Sequence, residues 1–189
     1  MLDLVKQETD RLDSRFLEPA CGDGNFLIEI LNRKLEVLVR KYKKNQYEFE
    51  KNSILLVSSI YGLDILEDNA QSARNRLFDR FLEVYRKYFK EHLNDKLINS
   101  VKFILGKNII CGDALTLKQV SSLNPVIFCE WAIINNRLKR RDFTLSCLLE
   151  YAPFEKGSLF FSDTGKEVNI PKPIKEYSLV NFDEAFNTC

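Results

Sequence analysis

The sequence predicts an α/β protein with a Rossmann-like, doubly wound, mostly parallel sheet and helices on both faces. Three observations lead there. A short apolar strand at residues 15–18 runs into a glycine turn, Cys21-Gly22-Asp23-Gly24, which opens directly into a long amphipathic segment. Strand-like and helix-period segments then alternate, in β-α-β-α order, as far as residue 113. A continuous apolar run at 126–129, Val-Ile-Phe-Cys, has the character of a parallel strand buried on both faces.

Each element follows from its pattern. Residues 2–12 read as a helix with Leu2, Val5 and Leu12 on one side, ending before Asp13-Ser14. Residues 25–44 place Phe26, Ile30, Leu31, Leu35, Leu38, Val39 and Tyr42 at helical spacing, one buried face. Residues 45–59 form a further helix ending in Ile54-Leu55-Leu56-Val57, an insertion relative to a minimal strand–helix–strand unit. The second strand is 61–65, and 67–88 is a long helix with Ala70, Ala73, Leu77, Phe81, Val84, Tyr85 and Tyr88 inward. A polar stretch, 90–100, precedes a short strand or lead-in at 101–105 and the third strand at 108–111. The fourth strand is 126–129, and 142–150 is helical. Leu159-Phe160-Phe161 and Val168-Asn169-Ile170 read as a hairpin around Asp163-Thr164-Gly165, after which Pro171 and Pro173 force an extended path. The whole is one domain: a reduced N-terminal helix at 1–12, a core at 13–150, and a hairpin with an extended tail at 151–189.

Composition removes several function classes. The chain has 189 residues, 45% hydrophobic and 29% charged, as in a soluble globular domain. No apolar run approaches the ~20 residues of a membrane span, and the start is too acidic for a signal peptide, so a cytoplasmic location without membrane contact is expected. Five cysteines with no Cys-x-x-Cys pair predict neither a disulfide framework nor a metal site. The single histidine, His92, lies in a polar segment and reads as a surface residue, which argues against triad chemistry needing an imidazole base. Net charge is +1. Two basic clusters, 40–44 and 137–141, read first as solvated helix ends and second as phosphate contacts.

The glycine turn carries the chemistry. Without a Cβ, Gly22 and Gly24 admit left-handed angles and close ligand approach, and the helix start beyond them offers unpaired N–H groups. The dinucleotide pattern G-x-G-x-x-G fails at its third glycine, where Leu27 stands. Instead Glu18, Pro19, Ala20, Cys21, Gly22, Gly24, Phe26 and Leu27 resemble motif I of S-adenosylmethionine-dependent DNA methyltransferases of the N6-adenine type. The resemblance implies S-adenosyl-L-methionine as cofactor, held around Glu18, Pro19, Ala20, Cys21, Gly22, Gly24, Asn25 and Phe26. Gly62-Leu63-Asp64-Ile65 is similar to motif II, which implies that Asp64, with Ile65 beside it, meets the cofactor ribose. Residues 108–115 resemble motif III, which implies that Asp113, next to Ala114, accepts a bond from the cofactor adenine. Read without the resemblance, Asp64 is a strand-end cap and Gly112-Asp113 a turn.

Past motif III the pattern departs from the family. The (Asp/Asn)-Pro-Pro-(Tyr/Phe) run that binds and stacks a flipped adenine is absent. Asn124-Pro125 precedes the fourth strand and reads as a turn, while Glu130-Trp131 occupies the place of the catalytic loop. Glu130 and Trp131 are therefore the catalytic candidates, the first as acceptor of an amine bond and the second as stacking surface. The alternative makes Trp131 a core anchor and Glu130 an ion-pair partner of Arg140 or Arg141. Too few residues follow motif III for a target-recognition domain, so a partner subunit would supply DNA recognition. The expected function is adenine-N6 methylation of DNA within a restriction–modification system. Two other readings stand beside it: a cofactor-binding regulatory or assembly module that has lost transfer, and a methyltransferase for a small molecule, protein or RNA.

Overall fold

The computed structural model describes residues 6–150 and 172–188. Within them the chain is mixed α/β, with a mostly parallel first sheet and an antiparallel second one. Of the N-terminal helix expected at 2–12, the described part is α1 (Lys6–Thr9). The chain then enters β1 (Phe16–Glu18) and, past the glycine turn, α2 (Asn25–Tyr42). Asn45 stops the next turn and starts α3 (Gln46–Ser58), its side chain accepting the Glu48 N–H. β2 (Ile60–Asp64) and α4 (Glu67–Phe89) fall where periodicity puts them.

The next segment differs from expectation. Residues 95–108 form one helix, α5 (Asp95–Asn108), instead of a polar stretch and a short strand. Asn94 caps it, accepting the Lys96 and Leu97 N–H groups, and Leu97, Val101, Ile104 and Leu105 make its buried stripe. β3 (Ile109–Asp113) follows without a break, then a two-residue β4 (Lys118–Gln119) folds back beside it.

The first sheet runs β1-β2-β3-β4, the first three strands parallel, with Phe16 opposite Ile60 and Gly62 opposite Ile109. The expected fourth parallel strand does not join it. Residues 127–134 form β5 (Ile127–Ile134), which pairs antiparallel with β6 (Arg137–Thr144) through all eight residues of each. The two-residue connection, Asn135-Asn136, has φ of 49° and 63°, the pair of positive angles a tight type I′ hairpin requires. The basic run at 137–141 is therefore a strand and not a helix end. The helix expected at 142–150 shortens to α6 (Leu145–Glu150). Short strands β7 (Lys175–Glu176) and β8 (Val180–Asn181) add to β6, and a 3₁₀ turn spans Ala185–Asn187. Pro173 lies outside any helix or strand, and the hairpin expected at 159–170 falls outside the described residues.

Alternation along β2 assigns the two faces. Ile60 joins Ile109 and the apolar stripes of α2, α3, α4 and α5 in one core. Tyr61 and Leu63 point the other way and pack with Val126, Phe128 and Leu145. Among the described residues, four helices thus cover one face and Val126, Phe128 and Leu145 cover the other, while Cys129, Trp131 and Leu138 of the β5–β6 hairpin join the helix-side core. The residue before β5, Val126, lies against the Cβ position of Gly112, and farther along the strand Trp131 reaches Asn108. The strand therefore runs from the carboxyl end of β3 back to the amino end.

Candidate functional site at the carboxyl ends of the parallel strands

Parallel pairing sets Glu18, Asp64 and Asp113 at the ends of three adjacent strands. The chain leaving β1 turns back over them. Cys21 N–H bonds the Leu63 carbonyl at 2.9 Å, and Gly24 N–H bonds the Cys21 carbonyl at 2.9 Å. Gly22 and Gly24 hold φ of 53° and 89°, angles an L side chain rarely adopts. Their surroundings differ. A Cβ on Gly24 would sit 3.0 Å from the Ala73 Cβ, whereas one on Gly22 would meet nothing within 4 Å. Gly24 is a packing requirement against α4, and Gly22 is the side of the turn that faces open space.

Asp64 ties this turn to the next. One carboxylate oxygen accepts the Gly22 N–H at 2.8 Å. The other accepts the Leu66 N–H at 2.9 Å and the Asn69 amide at 3.0 Å. Burial pushes the Asp64 pKa up, but the three donors outweigh it and hold the carboxyl below its ordinary value. Asp113 closes its own turn, accepting the Leu115 N–H at 2.8 Å and the Thr116 hydroxyl at 2.9 Å, and these bonds lower its pKa. Glu18 accepts the Ala20 N–H at 3.3 Å. Pro19, Ala20, Asn25 and Ile65 are exposed around the turn, and Phe26 and Ala114 are half-buried. Cys21 packs beneath, against the Gly62 Cβ position, and burial raises its thiol to about 11, so it stays a thiol at neutral pH. The twelve sequence-derived cofactor positions thus lie at this end of the sheet: Glu18, Asp64 and Asp113 close their strands, Asn25 and Phe26 open α2, and the other seven lie on the turns between.

Two supporting residues have no counterpart in the sequence reading. Arg76 donates to the Asp23 carbonyl at 2.7 Å and to Asn25 Oδ1 at 2.9 Å, and pairs with the Asp23 carboxylate. Asn69, Ala73 and Arg76 stand at i, i+4 and i+7, one stripe of α4 that grips the glycine turn. That polar–small–polar spacing was the available signal.

Glu130 and Trp131 lie at the opposite end. Trp131 is 5% exposed; its ring N–H donates to Asn108 Oδ1 at 3.0 Å, just before β3 begins. Phe103 meets its ring edge-on at 6.3 Å, and the Arg140 guanidinium lies 5.6 Å from its centroid. Glu130 accepts from Arg15, which precedes β1, at 2.8 Å. Its second oxygen lies 2.5 Å from the Arg141 guanidinium, an ion pair without hydrogen-bond alignment. The Tyr61 hydroxyl bonds the intervening Cys129 carbonyl at 2.8 Å. Both side chains are anchored among the amino ends of the strands, away from Gly22. Asn124-Pro125 sits in the β4–β5 connection, with the Asn124 carbonyl accepting the Gln119 N–H at 2.8 Å.

The basic clusters divide likewise. Arg137 bonds the Leu179 carbonyl, Lys139 pairs with Glu176, and Arg140 makes a two-pronged pair with Asp142 at 2.8 Å. Arg40, Lys41, Lys43 and Lys44 are exposed, but the 18-residue α2 carries them about 27 Å from Gly24. A buried cation also went unread: Lys34, fully buried on α2, donates to the Leu12 carbonyl, the Ser14 carbonyl and the Ser59 hydroxyl at 3.1, 2.5 and 2.7 Å. Burial lowers its pKa to about 7. Its place four residues after Ile30 and four before Leu38, inside an apolar stripe, was the visible sign.

Among the described residues no group of three or more His, Cys, Asp or Glu could hold a metal ion, and no helix is long and apolar enough to cross a membrane. A groove of about 470 Å³ between α2 and α4, walled by Asn32, Val39, Arg80 and Tyr88, lies apart from the glycine turn. Comparisons with protein-family models, with curated proteins and with solved structures found no match to this chain.

Proposed function

We propose that this chain is the cofactor-binding part of an S-adenosylmethionine-dependent methyltransferase of the DNA N6-adenine type, working in a restriction–modification system. One observation carries the reading: the residues that resemble motifs I, II and III converge at the carboxyl ends of β1, β2 and β3, where open α/β sheets hold ligands. On this reading the β1-α-β2-α-β3 unit is the first half of a Rossmann-like, doubly wound sheet. The residues suit the group. Gly22 leaves open space for its approach. Asp113 is partly exposed and uses two of about four lone-pair sites, so it retains acceptors for an amine. Asp64 uses three, leaving one for a ribose hydroxyl. Bound S-adenosylmethionine supplies an electrophilic sulfonium methyl, and the chain's own task is to orient it.

The acceptor half rests on other groups. Amine transfer needs the nitrogen aligned about 3 Å from the methyl. Glu130 and Trp131 sit at the far end of the strands, so DNA adenine would be presented by a partner subunit. The same placement favours a second reading, a cofactor-binding regulatory or assembly module; turnover on any DNA would end it. Calorimetric titration with S-adenosylmethionine and S-adenosylhomocysteine tests the shared core of both. Wild type is expected to bind, and Gly22→Ala, whose methyl projects into the open side of the turn, to bind at least tenfold more weakly. No binding by wild type sinks both readings.

A further inference from the structure

We propose that the C-terminal ends of α2 and α4 together form a binding face for the phosphate backbone of a nucleic-acid duplex, apart from the glycine turn and independent of what that turn holds. Side-chain contacts set the two helices side by side and pointing the same way. Arg76 bonds Asn25 at 2.9 Å, Arg80 bonds Asn32 at 2.6 Å, and farther on Val39 and Tyr88 wall one groove. The turns after the helices meet as well. Gln46, opening α3, donates to the His92 carbonyl at 2.5 Å and to the Tyr85 hydroxyl at 3.3 Å, and the Phe49 and Phe89 rings lie 4.9 Å apart. The basic run at 40–44 therefore lies beside the one at 86–90.

Seven cations come together there. Arg40, Lys41, Lys43 and Lys44 belong to α2 and its exit, and Arg86, Lys87 and Lys90 to α4 and its exit; all are exposed. None of them enters an ion pair among the described residues. Earlier on the same helices Arg33, Arg76 and Arg80 are paired with Glu29, Asp23 and Glu83. Neither run contains an acid, although Glu36 and Glu91 border them. Seven exceeds the chain's net charge of +1, so the remainder is net acidic and this face concentrates the positive charge. Helix carbonyl ends favour cations in a last turn, which accounts for Arg40, Lys41, Arg86 and Lys87. Lys43, Lys44 and Lys90 stand past the last helical residues, where that attraction fades.

The make-up of the face selects its partner. Five of the seven are lysines, point charges suited to phosphate and depleted from protein–protein interfaces. Within the two runs Tyr88 is the only exposed large apolar side chain, at 37%. A membrane surface would need several to insert, and a single strand several rings to stack on. Packed helices lie about 8–10 Å apart, and lysine stems splay their charges further, comparable with the roughly 12 Å of a major groove between its phosphate rows. The 18-residue α2 puts the face about 27 Å from Gly24, so a duplex held here is gripped by its backbone alone.

Fluorescence anisotropy of a labelled, mixed-sequence DNA duplex, titrated with the full chain and no cofactor, tests the proposal. Wild type is expected to bind at about 50 mM salt, with log K falling against log salt at a slope of about −4 or steeper. Lys43→Gln, Lys44→Gln, Lys87→Gln and Lys90→Gln combined should weaken binding at least thirtyfold and take about 3 off that slope. Arg at the same four positions should hold affinity within about threefold. Gln at four exposed lysines elsewhere, Lys6, Lys102, Lys118 and Lys172, changes net charge equally and should cost less than about threefold. Urea unfolding should give all three sets the wild-type midpoint. No cofactor enters the titration, so failure here and failure of the cofactor reading are told apart. No duplex binding by wild type, equal losses in the two Gln sets, loss in the Arg set, tighter binding to a single strand, or capture by phosphatidylserine vesicles in place of DNA would overturn the proposal.

Discussion

The two ends of the parallel strands are built from similar residues and behave oppositely. At the amino end Arg15, Lys34, Asn108, Glu130 and Trp131 are locked to one another or to main chain, mostly out of water. At the carboxyl end Asp64 and Asp113 also accept bonds, but they do so on turns with spare lone pairs and exposed apolar neighbours. Strain collects there too: Leu117 and Leu123, flanking β4, each hold φ of 58°, a left-handed angle costing a non-glycine residue roughly 1–2 kcal/mol. The contrast teaches that residue type does not separate scaffold from site. A polar group whose donors and acceptors are saturated by buried partners serves the fold, and one left partly satisfied at a turn is available to a ligand.

The sharpest way to break this contrast is Trp131→Ala. Losing a buried ring and the donor to Asn108 Oδ1 should cost about 3–5 kcal/mol in urea unfolding and, on the proposed function, leave the S-adenosylmethionine affinity of the folded fraction unchanged. Retained stability with lost affinity would move Trp131 to the ligand site.

Lys34→Met comes next. Three acceptors lose their donor, at about 1–3 kcal/mol near neutral pH. The pH dependence carries a sign. With its folded pKa lowered to about 7 from 10.5, Lys34 binds fewer protons folded than unfolded between those values. Wild-type stability relative to Lys34→Met should therefore rise with pH from about 7, by up to about 1.4 kcal/mol per unit, and level off below 7. A flat difference between pH 7 and 8.5 would show the ammonium retained by its acceptors.

Asp113→Asn should be the mildest for the fold, within about 0.5 kcal/mol, because the residue sits on an exposed turn. On the proposed function, S-adenosylmethionine affinity should nonetheless fall at least tenfold by calorimetry. If stability drops and affinity does not, Asp113 belongs with the scaffold.

How much was legible follows from where the determinants lie. The glycine turn, β2 and α4 were readable because their signals are local: positive-φ glycines, a five-residue apolar strand, a stripe at helical spacing. α5 was misread because its polar first turn, Asp95-Lys96, looks like loop until Asn94 is recognised as a cap. The β5–β6 hairpin was missed for two reasons. Asn135-Asn136 signals a type I′ turn as surely as Asn-Gly does when both residues carry positive φ. And Arg140 is tolerated inside a strand only because Asp142, two residues on and on the same face, neutralises it. That pairing is invisible until the strand is assumed. The far-end location of Glu130 and Trp131 was beyond reach, since it depends on β5 reversing direction.

The 3₁₀ turn near the C-terminal side carries a consequence for how the chain is made. The Ser100 hydroxyl donates to the Asp183 carbonyl and accepts the Ala185 N–H, across 83 and 85 residues. At translation rates of about 5–20 residues per second, those partners leave the ribosome roughly 4–17 s after Ser100 does. During that interval the Ser100 hydroxyl has neither of the main-chain partners that satisfy it in the finished fold.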